Sequence, residues 1–277
     1  MNSSGDNGED LLIRARSVLL DALEALHEHK DAVIVIGAQA VYLRTGGIDV
    51  ALAEATKDSD VAVDPRLLGD DPLLEDAMRV AGFVPSATGQ PGAWISLDGI
   101  PVDLMVPESF AGAGTRGARI PPHDRRATRR ARGLEATLVD HSVLEVPALA
   151  PDDSRVTKVK VAGPAALLVA KLHKLAERIG TPHRLLDKDA HDAYRILRAI
   201  DTDDLAAGFD RLLADNVSEE ATKEAIEHLT LVFASGPEAI GSLMAGRAEE
   251  GLGDPELVSM SASILAADLL EAVGPQG

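Results

Sequence analysis

Residues 32–47 read AVIVIGAQAVYLRTGG, and this stretch sets the architecture of the first half of the chain. Ala32–Ile36 is a short apolar run of mostly β-branched residues, the pattern of a strand buried on both faces. Gly37 follows at once. Ala38–Arg44 then takes helical spacing, and Thr45-Gly46-Gly47 stops it. A strand that passes through one glycine into a helix turns its backbone tightly, and the first helical turn offers N–H groups to an anion. Glycine also stands at many such turns for steric reasons alone.

On the N-terminal side, Leu11, Leu12, Ala15, Val18, Leu19, Ala22, Leu23 and Leu26 predict an amphipathic helix over Leu11–His29. Residues 1–10 are polar and acidic and are expected to be disordered. On the C-terminal side, Asp58–Val63 alternates polar and apolar residues and reads as a strand closed by Pro65. Pro72–Ala81 reads as a helix. Ala93–Leu97 and Ile100–Val106 flank Asp98-Gly99, a hairpin signal. Residues 107–133 are rich in Gly, Pro and Arg and read as irregular. Leu134–Val139 and Ser142–Val146 read as strands, 148–155 as a polar linker and Val156–Val161 as a further extended piece. After Gly163-Pro164 the pattern becomes helical throughout: Pro164–Ile179, Asp187–Ile200, two or three helices over 202–247, and 254–273. The expected fold class is α+β, with an α/β domain over 11–162 and an all-helical domain over 163–277.

The composition suits a globular chain: 277 residues, 45% hydrophobic, with no cysteine. The missing cysteines exclude disulfides, thiolate metal sites and cysteine nucleophiles. The N-terminus lacks a signal-peptide pattern and no apolar run would span a bilayer, so a cytoplasmic protein without membrane partners is expected. The net charge of −18 argues against a general nucleic-acid binder. One segment runs against it. Residues 116–132, RGARIPPHDRRATRRAR, hold seven arginines and one aspartate, as either a solvated surface or a phosphate- or RNA-binding one.

Carboxylates carry the chemistry. Residues two apart in a strand point to one side, so Asp58 and Asp60 share a face, with Ser59 opposite. Close carboxylates repel unless a cation lies between them, and hard divalent cations prefer oxygen ligands. Asp103 is the one acid in the apolar run Ile100–Val106, a costly place for an unpaired carboxylate. If the two strands are neighbours, Asp58, Asp60 and Asp103 converge, which suits metal ions clamping a triphosphate and an attacking hydroxyl. Asp103 would then activate that hydroxyl. A solvent-facing strand end and an edge-strand aspartate are the plain alternatives.

Lys171 stands among Leu167, Leu168, Val169, Ala170 and Leu172, so it either snorkels to solvent or meets an anion. Lys174 and Arg178 lie three and seven residues on, on the same helix face, and the three form a candidate triphosphate rail. Asp189 and Asp192, one turn apart, would pair with that rail or simply serve the acid preference of a helix start. His173, His183 and His191 show no zinc-ligand spacing, and neither Ser59 nor Thr56 has a His–carboxylate pair to activate it.

The order of these pieces, a glycine strand–helix element, Thr56-Lys57-Asp58-Ser59-Asp60 and then Asp103, resembles the polymerase β-like nucleotidyltransferase superfamily. The helical half, Leu167–Arg178 followed by Lys188-Asp189-Ala190-His191-Asp192, resembles the AbiEii-type (MenT-like) nucleotidyltransferase toxins. The resemblance spans about residues 20–200. It departs at Gly37-Ala38, where the family has Gly-Gly or Gly-Ser; a hydroxyl contact to phosphate is lost while the backbone N–H remains. It implies a nucleotidyltransferase-type mixed sheet and a helical domain that contributes to the active site. It also implies Mg²⁺ or Mn²⁺ on Asp58, Asp60 and Asp103, with Lys171 joining these three as a catalytic residue. Nucleotide contacts would come from Gly37, Ala38, Lys171 and Lys174, with Asp189 and Asp192 ordering them.

The resulting expectation is a Mg²⁺-dependent enzyme moving NMP from an NTP to a tRNA or protein acceptor, as the toxin of a toxin–antitoxin pair with a cognate antitoxin. Two alternatives stand beside it. One is a nucleotidyltransferase for a small cation such as an aminoglycoside, which the acidity of the chain suits. The other is a non-catalytic nucleotide-binding module.

Overall fold

The structure, a computed structural model, describes residues 4–46 and 58–274. Gly47, Thr56 and Lys57 of the motifs above, and residues 1–3, lie outside the described residues. The chain divides into two compact units.

The first unit, Met1–Ala40, Ala55–Ala131 and His141–Ala162, is built on one sheet. Its helices are α1 (Ser4–Ala25), the start of α2 (Gly37–Thr45) and α3 (Leu74–Val80). Its strands are β1 (Val33–Ile36), β2 (Ser59–Val63), β3 (Val84–Pro85), β4 (Ala93–Ile95), β5 (Pro101–Pro107), β6 (Arg129–Ala131), β7 (His141–Pro147) and β8 (Val156–Ala162). The strand order is β3-β4-β5-β2-β1-β8-β7, with β6 beside β5. The sheet is mixed: β1 runs antiparallel to β2 and parallel to β8, while β2 and β5 run parallel. All four residues of β1 are buried, as its unbroken apolar run requires.

β2 sorts its side chains by alternation. Ser59, Val61 and Val63 are fully buried, and the Ser59 hydroxyl donates to the Ala15 carbonyl of α1 at 3.1 Å. The α1 side of the sheet is therefore the face opposite Asp60. Arg16 of α1, also buried, donates to Gln39 Oε1 at 2.9 Å and to the Pro147 carbonyl at 3.0 Å.

The second unit, Val41–Glu54, Arg132–Asp140 and Gly163–Gly277, is helical. It contains α4 (Pro164–Ile179), α5 (Asp187–Ala199), α6 (Thr202–Leu213), α7 (Glu219–Leu229), α8 (Ile240–Arg247) and α9 (Pro255–Val273). Pro164 opens α4 at a position that needs no donor, and Asp140 Oδ2 accepts the Ala166 N–H at 3.1 Å. No helix among the described residues is long and apolar enough to cross a membrane.

The molecule is α+β, and three readings need correction. Residues 4–10 are helical where disorder was expected, because a helix nucleated by the buried stripe Ala15, Val18, Leu19 and Ala22 propagates cheaply outward. Residues Leu134–Leu138 form a 3-10 turn and not a strand. All five are buried, Glu135 and Thr137 included, which one-sided strand alternation cannot achieve; Thr137 Oγ1 donates to the Leu134 carbonyl at 2.7 Å. Residues 107–133 are not wholly irregular, since β6 pairs with β5 inside the arginine segment. Division of the chain at 162/163 is accompanied by two shorter excursions, Val41–Glu54 and Arg132–Asp140, that group with the helices.

Candidate functional site

In the sheet unit, Asp60 is in register with Ile36 of β1 on one side and with Asp103 of β5 on the other. Paired residues on neighbouring strands share a face, so Asp60 and Asp103 project to the same side. Asp58 falls two residues before Asp60 and is half-buried, as are Asp60 and Asp103. Asp60 and Asp103 thus stand on adjacent strands and on one face, opposite α1, while Asp58 precedes β2 and lies outside the paired register.

Gly37 explains why the glycine stands where it does. Its φ is +67°, in the left-handed region, and a Cβ there would fall on the Asp60 carboxylate, 2.8 Å from Asp60 Cβ and 2.9 Å from Cγ. The carboxylate next to the first turn of α2 is therefore Asp60 itself, a favourable place for a negative charge. Ala38, the residue after this glycine, is buried.

Arg129 is the member of this site that sequence reasoning missed. Its Nη2 donates to Asp103 Oδ2 at 2.8 Å, with the two side chains 26% and 16% exposed. The arginine-rich segment was conspicuous, but nothing in its spacing singled out Arg129; β6 pairing with β5 places it. Arg130 is also used internally, donating to the Gly112 carbonyl at 2.8 Å. Arg116, Arg119, Arg125 and Arg126 are exposed.

Three carboxylates with no imidazole or thiolate make a donor set that fits a hard cation such as Mg²⁺. Among the described residues no three acids or histidines yet stand close enough to hold one. Asp103 is turned onto Arg129, and that salt link would have to open for a metal to use both strands.

In the helical unit, Lys171, Lys174, Asp189 and Asp192 do come together. Lys171 Nζ lies 3.1 Å from Asp189 Oδ1 and 2.5 Å from Asp192 Oδ2, with all three side chains at least nine-tenths buried. Lys174 Nζ reaches Asp189 Oδ1 at 2.8 Å and Arg178 Nη1 reaches Asp189 Oδ2 at 3.0 Å. Burial pushes the Asp189 carboxyl up, but Lys171, Lys174 and Arg178 outweigh it and hold the group well below the usual carboxylate range. Of the two outcomes open to Lys171, snorkelling is thereby excluded: it is paired inside. Lys174, 32% exposed, and Arg178, 19% exposed, are the cations an incoming anion can reach.

A second buried acid–base contact was not anticipated. His191 Nε2 lies 2.9 Å from Glu249 Oε1, both buried; 58 residues of sequence separate them, so no local motif announces the pair. The chain matches no family model, no curated protein and no solved structure.

Proposed function

We propose that the chain is a Mg²⁺-dependent nucleotidyltransferase, moving NMP from an NTP to an acceptor hydroxyl. The observation that supports this most is the in-register pairing of Asp60 with Asp103 on parallel strands, with Asp58 two residues before Asp60 in the chain. Acids at the same level of two adjacent strands repel unless cations compensate them; Arg129 does so for Asp103, and a divalent ion would serve both acids at once.

In this reading Asp58 and Asp60 hold the metal, and Asp103 joins them once released from Arg129. The metal when bound supplies charge neutralisation on the triphosphate and acidifies the acceptor hydroxyl. Asp103 accepts the hydroxyl proton as the new O–P bond forms at the α-phosphorus. The bond from that phosphorus to the bridging oxygen breaks, and pyrophosphate leaves. Arg129, with Asp103 no longer its partner, keeps a cation beside the reacting charges. In the helical unit, three cations, Lys171, Lys174 and Arg178, face two carboxylates, Asp189 and Asp192. The surplus positive charge at the accessible end suits a phosphate.

For the acceptor we favour RNA, with tRNA the first to test. Arg116, Arg119, Arg125 and Arg126, all within one short segment, are exposed on a strongly acidic protein and available to a phosphate backbone. A toxin role with a cognate antitoxin belongs to the same proposal.

The test is incubation of the purified chain with each labelled NTP, Mg²⁺ and total tRNA, followed by separation of RNA from protein. Label on RNA that disappears with Asp58→Ala/Asp60→Ala supports the reading. Label on protein moves the acceptor while keeping the chemistry. No label on either, or equal labelling by the double variant, removes the catalytic assignment.

A further inference from the structure

Helix α9 is apolar on two sides. One side, Val258, Ala262, Ala266 and Leu269, is buried, where α9 packs against α8 and α6. The other side carries Leu257, Met260 and Ile264, which are 63%, 51% and 53% exposed. Isolated exposed apolar residues are ordinary. Three large ones at spacings of three and four lie in one line along the helix, and a helix that is apolar all round is normally covered all round. The capping aspartate Asp254, which accepts the Glu256 and Leu257 N–H groups at 3.1 and 3.2 Å, holds the start of this line in place.

The charge around the line indicates what covers it. From Ala248 to Gly277 the chain has six acids, Glu249, Glu250, Asp254, Glu256, Asp268 and Glu271, and no lysine, arginine or histidine. Asp268 and Glu271 fall four and seven residues after Ile264, which continues the same face, and both are exposed. Glu256 flanks Met260 four residues earlier and is also exposed. A second copy would bring the same acids and a net charge of −18, and an anionic lipid surface would be repelled as well.

We propose that the outer face of α9 docks a basic amphipathic helix of a partner protein. Its apolar stripe would lie along Leu257, Met260 and Ile264, and its lysines or arginines would meet Glu256, Asp268 and Glu271. This is recognition of one helix by another through anchors at i, i+3 and i+7, with charge setting orientation and partner choice. It does not depend on the nucleotidyltransferase reading.

The probe is a labelled Leu/Lys amphipathic peptide of about 18 residues, roughly five turns, titrated with the full-length chain and read by fluorescence anisotropy. A scrambled peptide of the same composition and a Leu/Glu version are the comparators. Binding of the ordered basic peptide alone is expected. Leu257→Gln/Met260→Gln/Ile264→Gln should weaken it by about tenfold or more, the scale of lost anchor residues. Asp268→Lys/Glu271→Lys should weaken it too, and lysines near a helix C-terminus do not unsettle the helix. Hydrogen exchange should show protection on α9. Equal binding of the scrambled peptide, no binding of the ordered one, or unchanged affinity in both variants overturns the proposal. So does a dimer in light scattering, or sedimentation with phosphatidylcholine/phosphatidylglycerol vesicles, that the triple variant abolishes; these would assign the face to a second copy or to a membrane.

Discussion

Asp60 and Asp103 stand directly opposite each other on neighbouring parallel strands, and Arg129 holds Asp103 through a 2.8 Å charged hydrogen bond. Arg129 itself is level with Met105, two residues further along β5, and reaches back to Asp103; in the proposed site, the partner Asp103 takes decides whether a metal can use both strands. The predictions for the first unit follow from that competition.

Asp103→Asn keeps the shape and removes the charge. If Asp103 takes the acceptor proton, NMP transfer should fall by about 10²–10⁴-fold, with an unchanged circular dichroism spectrum. Retention of more than half the activity would rule out the role.

Arg129→Gln removes the cation that competes with a metal for Asp103. Mn²⁺ affinity, followed by electron paramagnetic resonance of free Mn²⁺, should rise several-fold over the wild type. An affinity unchanged in Arg129→Gln but lost in Asp60→Asn would mean that Asp103 is not a ligand.

Gly37→Ala places a Cβ on the Asp60 carboxylate in a left-handed backbone conformation. The strain should cost about 1–3 kcal/mol and lower the melting temperature by roughly 2–4 °C for each kcal/mol. A melting temperature equal to the wild type would show that the β1–α2 turn relaxes freely.

Asp189→Asn leaves Lys171, almost wholly buried, with one of its two carboxylates gone. Removing one member of such a group costs about 3–5 kcal/mol, measured by urea unfolding. Lys171→Met paired with Asp189→Asn and Asp192→Asn should recover much of that loss, since it removes the buried lysine together with both its carboxylates and leaves only the partly exposed Lys174 and Arg178.

The same cluster fixes a direction with pH. The Asp189 carboxyl is held below its unfolded value of about 3.9 by Lys171, Lys174 and Arg178 despite the opposing effect of burial. Its contribution is therefore fully present above about pH 4 and is lost as the pH falls toward the lower folded value. Unfolding free energy measured from pH 6 down to pH 3 should drop more steeply in the wild type than in Asp189→Asn. Equal slopes would contradict the assignment.

Local pattern carried a large part of this molecule. The unbroken apolar run before Gly37 made β1, the alternation after Asp58 made β2, and Asp98-Gly99 made the β4–β5 turn with Gly99 at φ +77°. Pro164 and the helical spacing after it placed α4 at Pro164–Ile179. These are short-range effects: side-chain period, glycine's access to positive φ and proline's missing donor act within a few residues. The candidate acids, Asp58, Asp60, Asp103, Asp189 and Asp192, and the helix rail of Lys171, Lys174 and Arg178 were legible for the same reason.

What linear order could not contain was pairing across distance. Register alone put Asp103 level with Asp60, the β5–β6 ladder alone brought Arg129 to Asp103, and helix packing alone buried Lys171 between two aspartates and His191 against Glu249. Leu134–Leu138 alternated like a strand and became a 3-10 turn because burial on every side outweighed a weak local preference. Sequence determined most of the strands and helices, Leu134–Leu138 and β6 excepted, and the charges they carry; tertiary structure decided which of those charges meet, because burial and strand register are properties of the assembled chain and of no segment alone.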